Sequence, residues 1–336
     1  MIQAAIARLI VGENLDRDEA RGVMEQIMSG DATDAQIGGF LMALRSKGET
    51  VEEIAGFAET MRAKVTRIEG GQPPLVDTCG TGGDGSGTFN ISTTVAFVAA
   101  GAGLTVAKHG NRAMSSRCGS ADVLAELGVN VEATPEKVGQ CLDEVGIGFL
   151  FAPALHGAMK HAIGPRKELA TRTVFNVLGP LTNPAGAKRQ LIGVFAADLT
   201  ETMAGVLQTL GSERAFVVHG HDGLDEITLT GPSRVTQLLD GAITTYEVSP
   251  QDFGMDCVDA QTLAGGDAAE NASILTAVLE GEVGPRADVV ALNAAAAIVA
   301  GGMAEDLAAG VEAARASISS GQARESLTRL CSVSHA

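Results

Sequence analysis

Apolar residues near the start of the chain recur at three- and four-residue intervals: Ile37, Phe40, Leu41 and Leu44, then Ile54, Phe57, Ala58 and Met61. That period predicts amphipathic helices. The second is opened by Thr50-Val51-Glu52-Glu53, a capping box in which Thr50 caps and Glu53 reaches back. The first 66 residues read as helical throughout. Gly70-Gly71-Gln72-Pro73-Pro74 then marks a linker. Beyond it the pattern changes. Leu75-Val76, Leu104–Lys108, Ile147–Phe151, Gln190–Phe195 and Ala215–His219 are short apolar runs that read as buried strands, with helical patterns between them. Thr134-Pro135 supplies an N-cap and first-turn proline for one of those helices. Such alternation implies an α/β fold with a mostly parallel central sheet flanked by helices. Arg234–Leu238 and Ala242–Val248, joined at Asp240-Gly241, read as a hairpin, and Ala-rich helices follow. The expected organisation is a small helical domain over residues 1–70 and a larger α/β domain over 75–336.

The first strand run leads into Asp77-Thr-Cys-Gly-Thr-Gly-Gly-Asp-Gly-Ser-Gly-Thr-Phe-Asn-Ile-Ser-Thr93. Glycines let backbone N–H groups approach a phosphate, and the helix that follows adds the positive end of its dipole. Thr88, Asn90, Ser92 and Thr93 bring side chains that bond oxygens. A flexible surface turn explains the glycines but not these neighbours. The spacing Gly80, Gly82, Gly85 matches a dinucleotide fingerprint, which also needs an acid about 20 positions on to hold the ribose. Residues 85 to 121 contain neither Asp nor Glu, so that reading fails. A phosphate loop of the Walker type fails too, because no Gly-Lys-Ser/Thr follows. The acid-free window instead holds Lys108, His109, Arg112 and Arg117. Lys108-His-Gly-Asn-Arg112 sits at the carboxyl end of a predicted strand, where open α/β sheets bind ligands. A phosphorylated ligand is the first hypothesis.

The chain has 336 residues and a formal net charge of −17. That balance opposes binding to nucleic acid or to membrane surfaces, and makes the local cationic cluster stand out. No apolar run reaches the about 18 residues of a membrane span, and no signal peptide is evident at the amino terminus. Hydrophobic residues make up 45% but aromatic residues only 3%, so the cores must rest on Ala, Val, Leu and Ile. Five cysteines without a C-x-x-C suggest a reduced, cytoplasmic protein without zinc or disulfides.

The motifs taken in order resemble those of the anthranilate phosphoribosyltransferase family. They are Cys79-Gly-Thr-Gly-Gly-Asp84, Asn90-Ile-Ser-Thr93, Lys108-His-Gly-Asn-Arg112, Gly119-Ser-Ala-Asp122, Arg172-Thr-Val-Phe-Asn-Val-Leu-Gly-Pro-Leu-Thr-Asn-Pro184 and Asp222-Gly-Leu-Asp-Glu226. The resemblance runs over nearly the whole chain, to the Gly-Gly-Asp-Ala-Ala-Glu-Asn-Ala block at 265 to 272. The chain departs from the family pattern at Arg117-Cys118, Ala125, Gly157 and Ala170, the last standing where the family prefers Gly.

The resemblance implies transfer of phosphoribose from phosphoribosyl pyrophosphate to anthranilate, with Mg²⁺ as cofactor. It implies that Gly80, Gly83, Asp84, Thr88, Asn90, Ile91, Ser92 and Thr93 hold the donor, with Lys108, Asn111, Arg112, Ala113, Met114, Ser115, Ser116 and Ser120. Gly80, Asn111, Arg166 and His156 would meet anthranilate, and Ser92, Asp225 and Glu226 would hold the metal. Lys108, His109 and Arg166 are the candidate catalytic residues. His109 is either a proton acceptor or a structural hydrogen-bonder, and His156 either lines the acceptor pocket or caps a helix. The resemblance further implies a homodimer, and a helical domain that also takes in part of about 165–186. Two alternatives remain: a pyrimidine nucleoside phosphorylase of related fold, which should lack the Asp225-Glu226 pair, and a non-catalytic nucleic-acid-binding relative, which should be basic.

Overall fold

A computed structural model describes residues 1–113 and 117–336. Seven strands form one sheet: β1 (Leu75–Gly80), β2 (Thr105–Gly110), β3 (Ile147–Phe151), β4 (Arg189–Gly193), β5 (Arg214–Gly220), β6 (Ser233–Leu239) and β7 (Ala242–Val248). Their spatial order is β3-β2-β1-β4-β5-β6-β7. The first five run parallel and the last two antiparallel. The expected hairpin is the β6–β7 pair. Asp240 and Gly241 turn it with φ of 49° and 80°, the left-handed geometry that a two-residue hairpin favours.

Side chains of a strand alternate between the two faces of the sheet, and each face feeds a separate core. In β5, Phe216 and Val218 join one core while Ala215 and Val217 join the other. The first core is built on helices Ile91–Gly101 and Pro285–Gly301, the second of which is buried continuously from Val289 to Gly301. The other core receives the amino-terminal helices Ile2–Ile10, Arg17–Met28, Asp34–Lys47 and Val51–Lys64. The Thr50–Glu53 capping box is formed as expected. Residues from the middle of the chain also enter this core: Ala162, Val174, Phe175, Val177, Leu178 and Leu181.

The chain passes between the helical bundle and the sheet near Ile68, Leu155 and Pro184. There Thr66 N donates to the Leu155 carbonyl at 2.9 Å and Ile68 N to the Pro184 carbonyl at 3.2 Å. A small third core of Ile68, Ala107, Val138, Leu142, Leu150 and Leu155 seals the crossing. Helix Lys160–Leu169, beside it, ends in Ala170 at φ 47° and ψ 32°. A left-handed residue with a Cβ costs about 1–2 kcal/mol, which glycine avoids. Glycine returns part of that through its greater unfolded entropy. Ala170→Gly should therefore stabilise the protein by about 0.5–1 kcal/mol, read as a higher urea midpoint at unchanged slope.

Candidate active site

The parallel strands end along one edge, and the site is assembled there. β1 runs out into the glycine loop, whose Gly82, Gly83, Gly85 and Gly87 all have φ between 63° and 75°. Side-chain-bearing residues rarely adopt that conformation, so the loop depends on these glycines. It closes onto helix Ile91–Gly101. Asn90 stands at the N-cap position, but its side chain does not cap the helix. It donates to the Cys118 carbonyl at 3.3 Å and accepts from Asn271 Nδ2 at 3.0 Å. It therefore ties the loop to the 118 segment and to helix Ala268–Leu279.

Asp225 and Glu226 come from the loop after β5. Asp222 shapes that loop: it accepts from Leu224 N at 3.2 Å and from the hydroxyls of Thr228 and Thr230 at 2.8 and 2.6 Å. Asn293, fully buried in the apolar stretch Val289–Val299 of helix Pro285–Gly301, grips the next residue from behind. Its Oδ1 accepts from Ile227 N and its Nδ2 donates to the Ile227 carbonyl, both at 2.8 Å. The loop is thereby pressed against β1 and β4. A Cβ on Gly80 would lie 2.6 Å from Asp225 Oδ2, and one on Gly193 only 1.5 Å from the Asp225 carbonyl oxygen. Gly82 N donates to Asp225 Oδ2 at 2.9 Å, and the Ser92 backbone N–H donates to the Glu226 carboxylate.

Two adjoining cavities result. The first, about 230 Å³, is lined by Gly80, Gly83, Asp84, Thr88, Asn90 to Thr93, Lys108, His109, Asn111, Ser120, Asp225 and Glu226. The second, about 360 Å³, is lined by Arg112, Ala113, Arg166, Phe175, Asn176 and Pro180. Gly80, Gly82, Gly83, His109 and Asn111 line both. Met114, Ser115 and Ser116 lie outside the described residues. Arg112 does not stand free: it pairs with Asp122 at 3.2 Å and Glu132 at 3.3 Å and lies over the Phe151 ring. His156 lines neither cavity, and its side chain caps no helix. It sits behind His109, the two rings meeting Nε2 to Nε2 at 3.2 Å.

The electrostatics of the first cavity are unbalanced. Burial lifts the Asp225 carboxyl to about 6, with the Asp84 charge adding to the shift. Burial pushes Glu226 well above the usual carboxylate range, and Asp225 pushes the same way. Asp84 Oδ2 and Thr93 Oγ1 are buried with no hydrogen-bond partner among the described residues. Crowded carboxylates and orphaned oxygens are what a divalent cation or a polar ligand would satisfy. Among the described residues no three His, Cys, Asp or Glu side chains could hold a metal unaided. That suits Mg²⁺, which is usually bound through one or two carboxylates with water and substrate phosphates completing the shell. The residues present therefore fit Mg²⁺.

Lys108 is buried in the wall of the same cavity. Its ammonium donates to the Thr78 carbonyl and lies 3.5 Å from Ser92 Oγ. Burial lowers its pKa, and the charge of Asp77 opposes the shift. Asp77 was not foreseen as part of the site. Fully buried in β1, it accepts from His109 N at 3.0 Å and from Asn183 Nδ2 at 2.8 Å. It thereby fixes the end of β2 that carries Lys108 and His109. In the second cavity Arg166 is half-buried over the Phe175 ring, 5.1 Å from its centroid, with no carboxylate partner among the described residues. An unpaired guanidinium facing a pocket is a receptor for an anionic group.

Asp77 and Asn293 are the supporting residues the sequence reading missed. A lone Asn in the apolar run Val289–Val299 was a usable signal, since polar residues are seldom fully buried without a task. The acid immediately before the glycine loop was another.

Fold and site define a glycosyltransferase that works on a phosphorylated sugar donor. Residues 72–324 match the α/β domain of a glycosyl transferase family, and residues 3–65 match the helical bundle domain of such a family. The chain belongs to the anthranilate phosphoribosyltransferase family. It is 57% identical to the anthranilate phosphoribosyltransferase of Moorella thermoacetica, over 97% of this chain and 96% of the relative. It is 59% identical to that of Anaeromyxobacter dehalogenans, over 98% of each. The crystal structure of the Thermus thermophilus enzyme superposes with a TM-score of 0.94 at 45% identity, covering 99% of both chains. The Saccharomyces cerevisiae enzyme in complex with PRPP and Mg superposes at 0.90, with 30% identity over 99% of this chain and 98% of that one.

The histidine pair carries a prediction of its own. His109 also bonds the Gly179 carbonyl, so its Nε2 is the acceptor and His156 Nε2–H the donor. Burial holds both rings neutral, lowering His109 from 6.5 to about 3 and His156 from 6.5 to about 4. The unfolded chain therefore takes up these protons first as pH falls. Stability is full above the unfolded pKa and is lost through the window below 6.5, towards 4 for His156 and towards 3 for His109, at up to about 1.4 kcal/mol per pH unit for each ring. Urea denaturation at stepped pH should show that slope, and His109→Asn with His156→Asn should flatten it.

Proposed function

We propose that the two cavities divide the substrates of the anthranilate phosphoribosyltransferase reaction between them. The phosphoribosyl group of 5-phosphoribosyl 1-pyrophosphate passes to the amine of anthranilate, giving N-(5-phosphoribosyl)anthranilate and pyrophosphate, a step of tryptophan biosynthesis. The observation that carries this division is the shared wall. Gly80, Gly82 and Gly83 separate a cavity of carboxylates, hydroxyls and Lys108 from one whose unpaired charge is Arg166. The first suits a pyrophosphorylated sugar, the second an aromatic carboxylate.

The glycine loop from Gly80 to Thr93 cradles the pyrophosphate and ribose, with Lys108 placed to offset leaving-group charge. Asn111 and Ser120 extend the donor site. Asp225, Glu226 and Ser92 would hold Mg²⁺, which when bound helps to stabilise the departing pyrophosphate. Arg166 binds the anthranilate carboxylate in two-pronged fashion and turns the amine towards ribose C1. The aromatic amine attacks as a neutral base, so no residue need deprotonate it beforehand. Catalysis then rests on positioning and charge stabilisation at an oxocarbenium-like centre. His109 acts structurally in this scheme, because its Nε2 lone pair is already taken by His156.

The reading is tested by following anthranilate fluorescence with and without phosphoribosyl pyrophosphate and Mg²⁺. Consumption is expected only with both present. Arg166→Ala should raise the KM for anthranilate roughly ten- to hundredfold, as loss of a charge-assisted bond worth about 1.5–3 kcal/mol. It should leave that for phosphoribosyl pyrophosphate nearly unchanged. Turnover of thymidine with phosphate, and none with anthranilate, would favour the nucleoside phosphorylase reading.

A homodimer is part of the same proposal. Ile10 and Val11 are each 70% exposed, and Met42 is also exposed, all on the amino-terminal helices or at their ends; Ile163, on helix Lys160–Leu169, is exposed too. A second copy of the chain would cover them. Light scattering at micromolar concentration should give twice the mass of one chain, and a single-chain mass would refute the dimer. The cytoplasm is the proposed location. Five cysteines with no C-x-x-C among them suit it, and among the described residues no helix is long and apolar enough to cross a membrane.

A further inference from the structure

We propose that Arg172 is a positioning residue that pins the wall between the two cavities, tying the acceptor-side segment to the donor loop. The inference rests on the assignment of the glycine loop to phosphoribosyl pyrophosphate. Gly82 and Gly83 carry no side chains that could hold their backbone in place. On one side the loop is held by Asp225, through Gly82 N–H. On the other, Arg172 Nη2 donates to the Gly83 carbonyl.

The guanidinium is itself held from several directions. It lies over the Phe195 ring, 4.1 Å from the centroid. Phe195 N in turn donates to Thr81 Oγ1 at 3.1 Å, so Thr81, Phe195, Arg172 and Gly83 form a closed circuit around the loop's first turn. The Arg172 carbonyl accepts from Arg45 in helix Asp34–Lys47, which anchors the circuit to the helical bundle. Arg172 has no carboxylate partner among the described residues, and it lines neither cavity. Its charge is thus spent on the loop backbone rather than on an acid or on the pocket.

The geometry gives that bond a direction. A peptide group is planar and trans, so its C=O and N–H point opposite ways. With the Gly83 carbonyl drawn towards Arg172, the Asp84 N–H is turned away from it, and Asp84 lines the donor cavity. Arg172 therefore presets an amide donor for the pyrophosphate from outside the pocket. A glycine loop without this tether would sample other orientations and lose more entropy on binding.

The test uses the full chain and initial rates with each substrate varied in turn. Arg172→Ala should raise the KM for phosphoribosyl pyrophosphate about tenfold, the effect of losing one bond from a charged donor. The KM for anthranilate should stay within about twofold, and the melting temperature should hold, since the residue is exposed. Phe195→Leu should move the same constant less. The double variant should be no worse than Arg172→Ala alone, because stacked partners act as a unit. Arg172→Lys keeps the charge and should recover part of the loss; it also serves if the alanine variant does not fold. Hydrogen exchange over the glycine loop should quicken in Arg172→Ala. A rise confined to anthranilate would make Arg172 an acceptor contact and overturn the proposal. So would unchanged constants, additive effects of the two substitutions, or a rise in both constants accompanied by a lower melting temperature. If the wild-type chain failed to use phosphoribosyl pyrophosphate with anthranilate, the functional reading would fall instead.

Discussion

The site depends on one close approach. At Gly193 the carbonyl of Asp225 lies where a Cβ would be, so the loop after β5 rests directly on the backbone of β4. This contact lets two acids from one end of the sheet reach the glycine loop that leaves β1, two strands away. Asn293 supplies the force from behind. Its amide satisfies both backbone groups of Ile227, the residue next to the acid pair. A buried amide that completes its hydrogen bonds costs little, whereas one left open costs about 1–3 kcal/mol. The loop is therefore held in one register, with the carboxylates aimed across the edge of the sheet.

Charge follows from that register. Asp77 is fully buried in β1, and Lys108, Asp84, Asp225 and Glu226 line the cavity. Each buried acid raises the cost of the next. Lys108 offsets part of this, and the remainder is left for a cation and a polyphosphate to settle together. The chain's overall acidity is no obstacle to binding a polyanion, because the field that matters is the one within a few ångströms of the pocket.

Much of this was legible in the sequence. The 3.6-residue period, the Thr50–Glu53 box and the Asp240-Gly241 turn encode local geometry, and local geometry is what a sequence displays most directly. The glycine loop and the Lys108–Arg112 segment were legible for the same reason: each is contiguous. The bonds of Asp77, Asn293 and Arg172 were harder to see because their partners lie 32, 66 and 89 positions away. Nothing in a neighbouring residue type reveals a bond of that span. Asn90, at an N-cap position that its side chain leaves uncapped, follows the same rule. The residue type suits capping, but Asn271 and Cys118, distant in sequence, compete for the same amide.

The core beneath the amino-terminal helices has a consequence for how the protein is made. Those four helices leave the ribosome before the segments that complete their core, among them Ala162, Val174, Phe175 and Leu181. Met203, Leu207, Val217 and Leu238 complete the same core and emerge later still. Six strands are synthesised before the last of them is in place. A chain that folded in the usual order, amino-terminal domain first, would do so with that core unfilled. The core is whole only once residues of both domains are in place, and until then the nascent protein carries apolar surface for chaperones to shield.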